Sequence, residues 1–251
     1  MSVDKLVLGS MLTLSFSTGV LDAATYLGLH GVFTANMTGN LIFLSLGITG
    51  QATVPVLRAI LALGGFAAGA AAAGRLLRRS AARLRGAQDI SLTILFVGVL
   101  LAASSVSLAL GTRSDEMLNA STLALAFAMG VQALAARRVG VADVTTVVVT
   151  STLAGLMGEN LATGRAVSSS LTIRRALAVT TMGLGAVTGA LLMLISVETA
   201  IAVSALLTLS VAGLLSVRVY VSSSPGKPRQ TWASRLSCST YGTNVGGSAH
   251  T

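Results

Sequence analysis

Long apolar stretches, separated by short polar segments, dominate the pattern of this chain. Two of the stretches, 37–49 and 145–161, are too short or too polar to cross a bilayer by themselves. Six others come close to the roughly 20 residues that a helix needs to cross the hydrocarbon core: residues 6–28, 54–74, 90–111, 117–136, 176–196 and 199–217. The pattern therefore predicts an all-α, polytopic transmembrane bundle with six full spans and two short, re-entrant helices.

Charged residues between the apolar stretches indicate which ends share a side of the membrane. Segment 75–85 holds five arginines and no acid, and such basic clusters remain on the cytoplasmic side. Segment 112–116 carries Arg113 against two acids, which suits the outer side. If the two short stretches do not cross, Lys5, the arginines at 137–138, 165 and 174–175, and the basic tail also fall inside. We therefore expect a transmembrane domain over residues 1–220 with both termini cytoplasmic, followed by a disordered cytoplasmic tail over 221–251.

An internal repeat follows from the same pattern. Apolar, glycine and threonine positions in residues 12–34 match those in residues 123–145 after a shift of 111 residues. The third element of each half carries two glycines four residues apart, in the pairs Gly65/Gly69 and Gly185/Gly189. With three crossings in each half, the halves 5–111 and 117–217 would enter the bilayer from opposite sides. The sequence therefore predicts an inverted-topology repeat.

The composition excludes most classes of soluble protein. Hydrophobic residues make up 53% of the 251 residues, charged residues only 10%, and the mean hydropathy is +0.82, whereas about a quarter of a soluble domain is charged. The net charge of +9 would indicate a nucleic-acid partner in a soluble protein. Here the basic residues suit anionic lipid headgroups instead. We expect the lipid bilayer as the partner and no nucleic acid, and the pattern is compatible with a homo-oligomer.

Catalytic and metal-binding motifs are missing from the sequence. The only cysteine is Cys238, which excludes an intramolecular disulfide and a cysteine metal site. The two histidines, His30 and His250, belong to no metal-ligand motif, and no nucleophile–base pair or phosphate-binding loop is found. We therefore expect a protein that is not an enzyme and that has no cofactor or metal.

Asp22 is the strongest candidate for a functional residue. It interrupts an otherwise uncharged first span, where a carboxylate costs about 2.5–3.5 kcal/mol on insertion scales. Thr18 and Thr25 lie four and three residues away on the same helical face, which gives a polar stripe able to line a water-filled cavity. Asp22 is therefore predicted to relay a proton or hold a cation. The alternative is a buried acid that only orients neighbouring helices.

The segment 33–40, Phe-Thr-Ala-Asn-Met-Thr-Gly-Asn, is the second candidate. It is polar although apolar sequence flanks it, and an unwound segment is tolerated at membrane depth only where protein or water surrounds it. A half-helix that starts near Thr38 would direct its free N–H groups at an anion or polar solute. Asn36, Thr38, Gly39 and Asn40 are therefore predicted substrate contacts. The alternative is a capped turn between two helices.

The second half offers a counterpart of this segment. Asp143 opens a threonine-rich run that includes Thr146 and Thr150, and Gln132 lies on the preceding helix. The run lacks the Thr-Gly-Asn triplet of the first half, so a two-fold site would be unequal. We expect these four side chains to complete a solute or ion pathway. Arg58, in the second span, is expected to extend to the membrane surface without a further role.

Two blocks near the N-terminus and one in the second half resemble a known family. Residues 19–23 (Gly-Val-Leu-Asp-Ala), 31–41 (Gly-Val-Phe-Thr-Ala-Asn-Met-Thr-Gly-Asn-Leu) and 127–132 (Phe-Ala-Met-Gly-Val-Gln) resemble the signature of the YoaK family, DUF1275. The resemblance covers about residues 8–217. It departs at Thr150-Ser151, where a Thr-Gly pair is expected. It implies a multi-pass protein of the bacterial inner membrane and supplies no substrate.

These patterns lead to one functional hypothesis and one alternative. The hypothesis is a small bacterial inner-membrane transporter or channel-like permease, with a pathway for a small solute or ion between two inverted halves. The alternative is a non-transporting assembly factor or sensor in which the same polar residues lock helices together. A transport site must be reachable by water from one side at a time, whereas a structural lock stays dry.

Overall fold

The computed structural model describes residues 3–50, 56–81, 86–139 and 169–222. Every regular element in these ranges is an α-helix, so the predicted all-α class is confirmed for them. The short stretch predicted at 145–161 and nearly all of the tail predicted over 221–251 lie outside the described residues. In chain order the helices are α1 (Val3–Gly28), α2 (Met37–Ile48), α3 (Val56–Ala81), α4 (Gly86–Leu110), α5 (Asp115–Val139), α6 (Ser169–Leu192) and α7 (Val197–Ser222).

Five of these helices (α1, α3, α4, α5 and α7) are long and apolar enough to cross a membrane. Helix α2 has 12 residues and rises about 18 Å, which is well short of a hydrocarbon core of roughly 30 Å. The apolar part of α6, Ala176–Leu192, is shorter than the other spans. It stops before the predicted limit at residue 196 because 193–195 form a turn that leads into α7. A multi-pass membrane bundle is therefore supported.

The helices pack most closely in three pairs: α1 with α6, α3 with α5, and α4 with α7. In the α1–α6 pair, Gly185 faces the backbone carbonyl oxygen of Phe16, and Gly189 faces that of Val20. The contacts advance along both helices together, so α1 and α6 run parallel. Because glycine has no Cβ, the two backbones approach more closely than any other residue would allow.

The α3–α5 pair is built in the same way. Gly65 faces the backbone carbonyl oxygen of Leu123, and Gly69 faces that of Phe127. These contacts also advance together, so α3 and α5 run parallel. Small residues let helices approach closely in lipid, where dispersion contacts rather than burial from water hold helices together. The predicted small-residue faces of α3 and α6 therefore do form helix contacts.

Hydroxyl groups connect the antiparallel helices. The Ser91 hydroxyl of α4 donates to the carbonyl oxygen of Ala212 at 2.9 Å. The Ser105 hydroxyl, four turns further along α4, donates to that of Glu198 at 2.8 Å. These contacts advance in opposite directions, so α4 and α7 are antiparallel. Between α1 and α7, Ser17 and Ser204 each donate to the other's carbonyl oxygen at 3.1 Å. These bonds satisfy polar groups that lipid cannot.

The helix directions separate the charged residues of the bundle into two ends. One end carries mostly basic side chains together with the acid Asp89 of α4: Lys5 on α1, Arg75 and Arg78 on α3, Arg137 and Arg138 on α5, and Arg174 on α6. The opposite end carries a mixed set: Arg58, Arg113, Asp115 and Glu198, joined in two ion pairs. This segregation matches the charge asymmetry that the sequence predicts.

The chain between α1 and α2 folds back into the bundle instead of staying at its surface. Leu29, Val32 and Ala35 are fully buried in the main apolar core. Helix α2 then leaves this core and, among the described helices, packs mainly against α3. Its other side exposes Leu41 and Ile48, which are 56% and 74% accessible. The first predicted short segment is therefore a loop that enters the core, followed by a short helix at the periphery.

Candidate functional site

A sharp reversal at the end of α1 creates the candidate site. The N–H of Gly31 donates to the carbonyl oxygen of Tyr26 at 2.8 Å, which closes the last turn of the helix. His30 and Gly31 both have positive φ angles, 61° and 84°, a conformation that glycine adopts readily and other residues rarely. Two consecutive left-handed residues turn the chain through the Schellman-type geometry that ends many helices. Residues 32–36 are thereby directed back along α1.

Asp22 receives this returning chain. Its Oδ1 atom accepts hydrogen bonds from the backbone N–H of Thr34 at 2.9 Å and of Ala35 at 2.8 Å. The Thr34 hydroxyl lies 3.3 Å from the same oxygen. The other carboxyl oxygen, Oδ2, is buried and has no partner among the described residues. One oxygen of the carboxyl group therefore holds the loop, and the other is left without a donor.

Asp22 lies inside α1 and is buried by the returning loop. It lies six residues before the end of α1 at Gly28, which is about 9 Å along the helix axis. The carboxyl group is nevertheless only 6% exposed, because the loop covers it. The polar environment that makes its burial tolerable thus comes from the backbone of the following segment. Sequence periodicity cannot reveal such a partner.

Asn40, predicted as a substrate contact, closes a ring of hydrogen bonds inside the segment. Its Oδ1 accepts from the backbone N–H of Phe33 at 2.9 Å, and its Nδ2 donates to the Phe33 carbonyl oxygen at 2.6 Å. The side chain is fully buried. Asn36 caps α2, with its Oδ1 lying 3.4 Å from the N–H of Gly39. The segment is therefore a capped turn in its local geometry.

Gly39 is required by an aromatic side chain. A Cβ atom at this position would lie 2.9 Å from two ring carbons of Phe33. The Phe33 ring also stacks on Tyr26 and Phe43, with ring centroids 5.0 and 6.0 Å apart. This three-ring stack joins the end of α1, the loop and α2. Its position at a helix end resembles that of the aromatic residues that anchor membrane proteins at the interface.

The predicted substrate contacts fall into an exposed and a buried group. Asn36 and Thr38 are exposed at the start of α2, whereas Asn40 and Asp22 are buried beneath them. The exposed side chains are open to a solute that approaches from outside the segment. The buried ones are engaged with backbone groups, so they would meet a solute only if the loop moved.

Thr18 and Gln132 extend the polar region toward the centre of the bundle. The Nε2 atom of Gln132 on α5 donates to the Thr18 hydroxyl at 3.2 Å, and that hydroxyl donates to the Leu14 carbonyl oxygen at 2.8 Å. Both side chains are fully buried. The Oε1 atom of Gln132 has no partner among the described residues. Thr25 is also buried, and its hydroxyl donates to the Asp22 carbonyl oxygen at 3.3 Å.

Arg58 has a larger role than the sequence predicts. It does not extend to the surface but is 3% exposed, and its guanidinium group contacts three partners. It donates to Asp115 at 2.7 Å and to Asn119 at 3.0 Å, and it also contacts Nδ1 of His30. This Arg58 node ties the start of α3, the start of α5 and the reversal after α1. The sequence did hold one sign of this contact. Positions 58 and 115 both lie at the start of a helix, and the predicted topology places those two starts on the same side of the membrane.

The second-half candidates Asp143, Thr146 and Thr150 lie outside the described residues. Within the described part of the chain, no group of three or more His, Cys, Asp or Glu side chains comes together. The groups that the structure does assemble are one carboxyl group, amide and hydroxyl side chains, and backbone N–H groups. Their chemistry is hydrogen bonding, proton exchange and cation coordination.

Comparison with other proteins adds the family. A curated relative, the UPF0700 transmembrane protein YoaK of Bacillus subtilis (strain 168), is 30% identical over 146 residues, which cover 58% of this chain and 64% of that relative. The match thus spans less than two thirds of the relative's length. No solved structure is significantly similar. The family described as "Protein of unknown function (DUF1275)" matches residues 10–214, most of the chain. The chain therefore belongs to the DUF1275 family.

Proposed function

We propose that this protein is a small-solute permease of a bacterial inner membrane, in which Asp22 responds to an ion and segment 33–40 contacts the solute. One observation carries the proposal. The Asp22 carboxyl group fastens a core-penetrating loop through the N–H groups of Thr34 and Ala35, while its second oxygen is buried and has no partner in the part of the chain that the structure describes. A buried ionisable group inside a membrane bundle is by default a functional candidate.

The hydrogen bonds of Asp22 suggest how an ion would move the loop. An ionised carboxylate is a stronger acceptor than a protonated carboxyl group. A proton on Asp22, or a cation at its free oxygen, would therefore weaken the bonds to Thr34 and Ala35. The loop carries Asn36 and leads directly into α2. Ion binding and solute access would thus be coupled through one short segment.

We also propose six crossings and an inverted repeat as the frame of this permease. Helix α6 would complete the set, since its 24 residues rise about 36 Å. The α1–α6 and α3–α5 pairs are both parallel and both glycine-mediated. The basic end would face the cytoplasm, in line with the positive-inside rule. With the first helix starting there and α7 ending there, both termini would be cytoplasmic.

The glycine contacts support the repeat but shift its register. Gly69 faces the carbonyl oxygen of Phe127, and Gly185 faces that of Phe16. Phe16 and Phe127 are separated by the 111-residue shift that relates α1 to α5. Gly69 is thus the structural counterpart of Gly185. Aligning the two glycine pairs in order would instead make Gly65 the counterpart of Gly185. The equivalence of α3 and α6 would therefore be displaced by about one helical turn.

The rival function is a non-transporting membrane protein, and one observation favours it. Asn40 and one oxygen of Asp22 are held directly by backbone groups, as in a purely structural contact between helices. The two functions differ in whether water reaches the buried residues. A lock keeps Asp22 and Asn40 dry at all times, whereas a permease exposes them to one side in some state.

The test is thiol labelling of single cysteines in a Cys238→Ser background, with the protein in oriented vesicles. Cysteine at position 36 or 38 reports the exposed start of α2, and cysteine at position 40 reports the buried ring. A membrane-impermeant reagent should label position 40 slowly, from one side, at a rate that changes with pH or with candidate solutes. Cysteine at position 21, in the fully buried core, is the matched control and should stay unlabelled. If position 40 behaves like position 21 in folded protein under all conditions, the permease proposal fails.

A further inference from the structure

Four buried side-chain oxygen atoms lack a hydrogen-bond partner among the described residues. Two of these are Oδ2 of Asp22 on α1 and Oε1 of Gln132 on the adjoining helix α5. Thr18 lies between these two residues: it is one helical turn before Asp22 on the same face of α1, and its hydroxyl accepts a hydrogen bond from Gln132. The two unpaired oxygens thus belong to neighbouring turns of a single polar region.

The hydrogen-bond partners of Gln132 and Asp22 fix which oxygen of each side chain is left over. The Gln132 Nε2 atom donates to the Thr18 hydroxyl, whose own proton goes to the Leu14 carbonyl oxygen. The hydroxyl therefore needs a donor from Gln132, which fixes the amide orientation and leaves Oε1 without a partner. Asp22 Oδ1 is likewise fixed by two backbone N–H groups. Buried polar atoms in native proteins nearly always have a partner, so these two call for a donor or a cation.

Charge balance limits which ligands could bind at these oxygens. Asp22 forms no ion pair among the described residues, where the two ion pairs are Arg58–Asp115 and Arg113–Glu198. A single buried carboxylate carries one negative charge, and the neighbouring Gln132 and Thr18 groups are neutral. One positive charge balances the region, whereas a divalent ion would leave an excess charge in a medium that solvates it poorly. Carboxylate, amide and hydroxyl oxygens are hard donors that suit a proton or an alkali cation.

We propose that Asp22 and Gln132, with Thr18 between them, form a binding site for one monovalent cation, either a proton or an alkali metal ion. The role of this site in transport rests on the proposed permease function, because the bound cation would be the ion that acts on the loop. The existence of the site does not depend on that function, since a cation can bind without any solute being moved. The two ion sources share one chemistry, a single positive charge held by oxygen atoms.

The experiment is thermal unfolding of the purified full chain in detergent at constant ionic strength. Sodium, potassium, lithium and choline chloride are compared at fixed pH, and pH is then varied in choline chloride. A ligand that binds only the folded state raises the Tm with its concentration. We expect the wild type to gain about 3–8 °C from its preferred ion at saturation. A gain from one alkali ion at fixed pH identifies a metal ion, and a gain on acidification without alkali selectivity identifies a proton.

Three variants decide whether the effect arises at this site. Asp22→Asn keeps an Oδ1 acceptor for Thr34 and Ala35 but removes the charge, so it should fold and lose the ion-dependent gain. Gln132→Leu should reduce the gain and leaves Asp22 intact. Asp115→Asn, which changes an exposed acid at the mixed end, is the matched control and should keep the full gain.

The outcomes separate this site from the proposed function. An unchanged ion response in folded Asp22→Asn and Gln132→Leu overturns the site, even if position 40 labels as a permease requires. An ion response that these variants abolish supports the site, even if position 40 never labels. A wild type whose Tm follows neither alkali ions nor pH overturns the site outright.

Discussion

Gly69 of α3 lies against the backbone carbonyl oxygen of Phe127 of α5, with no room for a side chain between the two helices. The contact depends on the absence of a Cβ atom, because a Cβ would overlap the carbonyl group. Gly185 makes the same contact with Phe16. The close approach of the two parallel helix pairs therefore depends on a few of the 27 glycines in the chain.

The first prediction concerns those glycines. Gly69→Leu and Gly185→Leu should each lower the free energy of unfolding by about 1–3 kcal/mol or more, since overpacking forces backbones apart. Gly64→Leu and Gly183→Leu are the matched controls, because a Cβ at either position meets nothing within 4 Å. The measurement is chemical unfolding of each variant in detergent, monitored by circular dichroism. Equal destabilisation by Gly69→Leu and Gly64→Leu would contradict the described helix contact.

The second prediction concerns the hydrogen-bonded ring of Asn40. Asn40→Ala removes both partners of the Phe33 backbone in a buried position, and an unsatisfied buried group costs about 1–3 kcal/mol. Asn36→Ala removes an exposed helix cap with a long bond of 3.4 Å, so its effect should be smaller, under about 1 kcal/mol. Chemical denaturation of both variants tests the order. A larger loss in Asn36→Ala would mean that the cap, and not the ring, holds the segment.

The third prediction concerns the Arg58 node. Arg58→Met keeps much of the apolar stem but removes the bonds to His30, Asn119 and Asp115, so stability should fall by about 1–3 kcal/mol. Arg113→Met removes an ion pair whose arginine is 59% exposed, and such pairs contribute less than about 1 kcal/mol. The acid left behind is exposed in the first case and mostly buried in the second, since Asp115 is 87% and Glu198 13% exposed. Similar unfolding midpoints for the two would show that burial of Arg58 adds nothing.

The fourth prediction concerns the left-handed residue His30. His30→Ala and His30→Gly both lose the Arg58 contact, but only alanine retains a Cβ at a φ of 61°. His30→Gly should therefore be the more stable of the two by about 1 kcal/mol. Comparing the two variants isolates the backbone strain from the lost contact. A more stable His30→Ala would indicate that the reversal after α1 is remade in the variants.

Much of the fold follows from the sequence because lipid imposes a simple rule. A stretch of apolar residues must be helical to satisfy its backbone, so the helices and the exceptional position of Asp22 can be predicted. The division of basic and mixed ends could likewise be predicted from the arginines of segment 75–85.

The partners of the polar residues could not be predicted, for a physical reason. Asp22 binds backbone N–H groups, which every residue except proline carries, so the identities of Thr34 and Ala35 give no sign of the contact. Arg58 needs three partners from three parts of the chain, and its burial appears only when those parts meet. The glycine register between α3 and α6 is ambiguous for a similar reason, since each helix carries several small residues that could face a partner.

The sequence distances between hydrogen-bond partners bear on how the chain is made. The donors for Asp22 come 12 and 13 residues after it, so they leave the ribosome directly behind it. The partner of Thr18 comes 114 residues later, on α5. During synthesis these donors are therefore available to the aspartate before any other long apolar helix of the described residues has been made, so α1 with its returning loop can insert as one unit. The bond from Gln132, by contrast, can form only after the fourth of the five long apolar helices has been made.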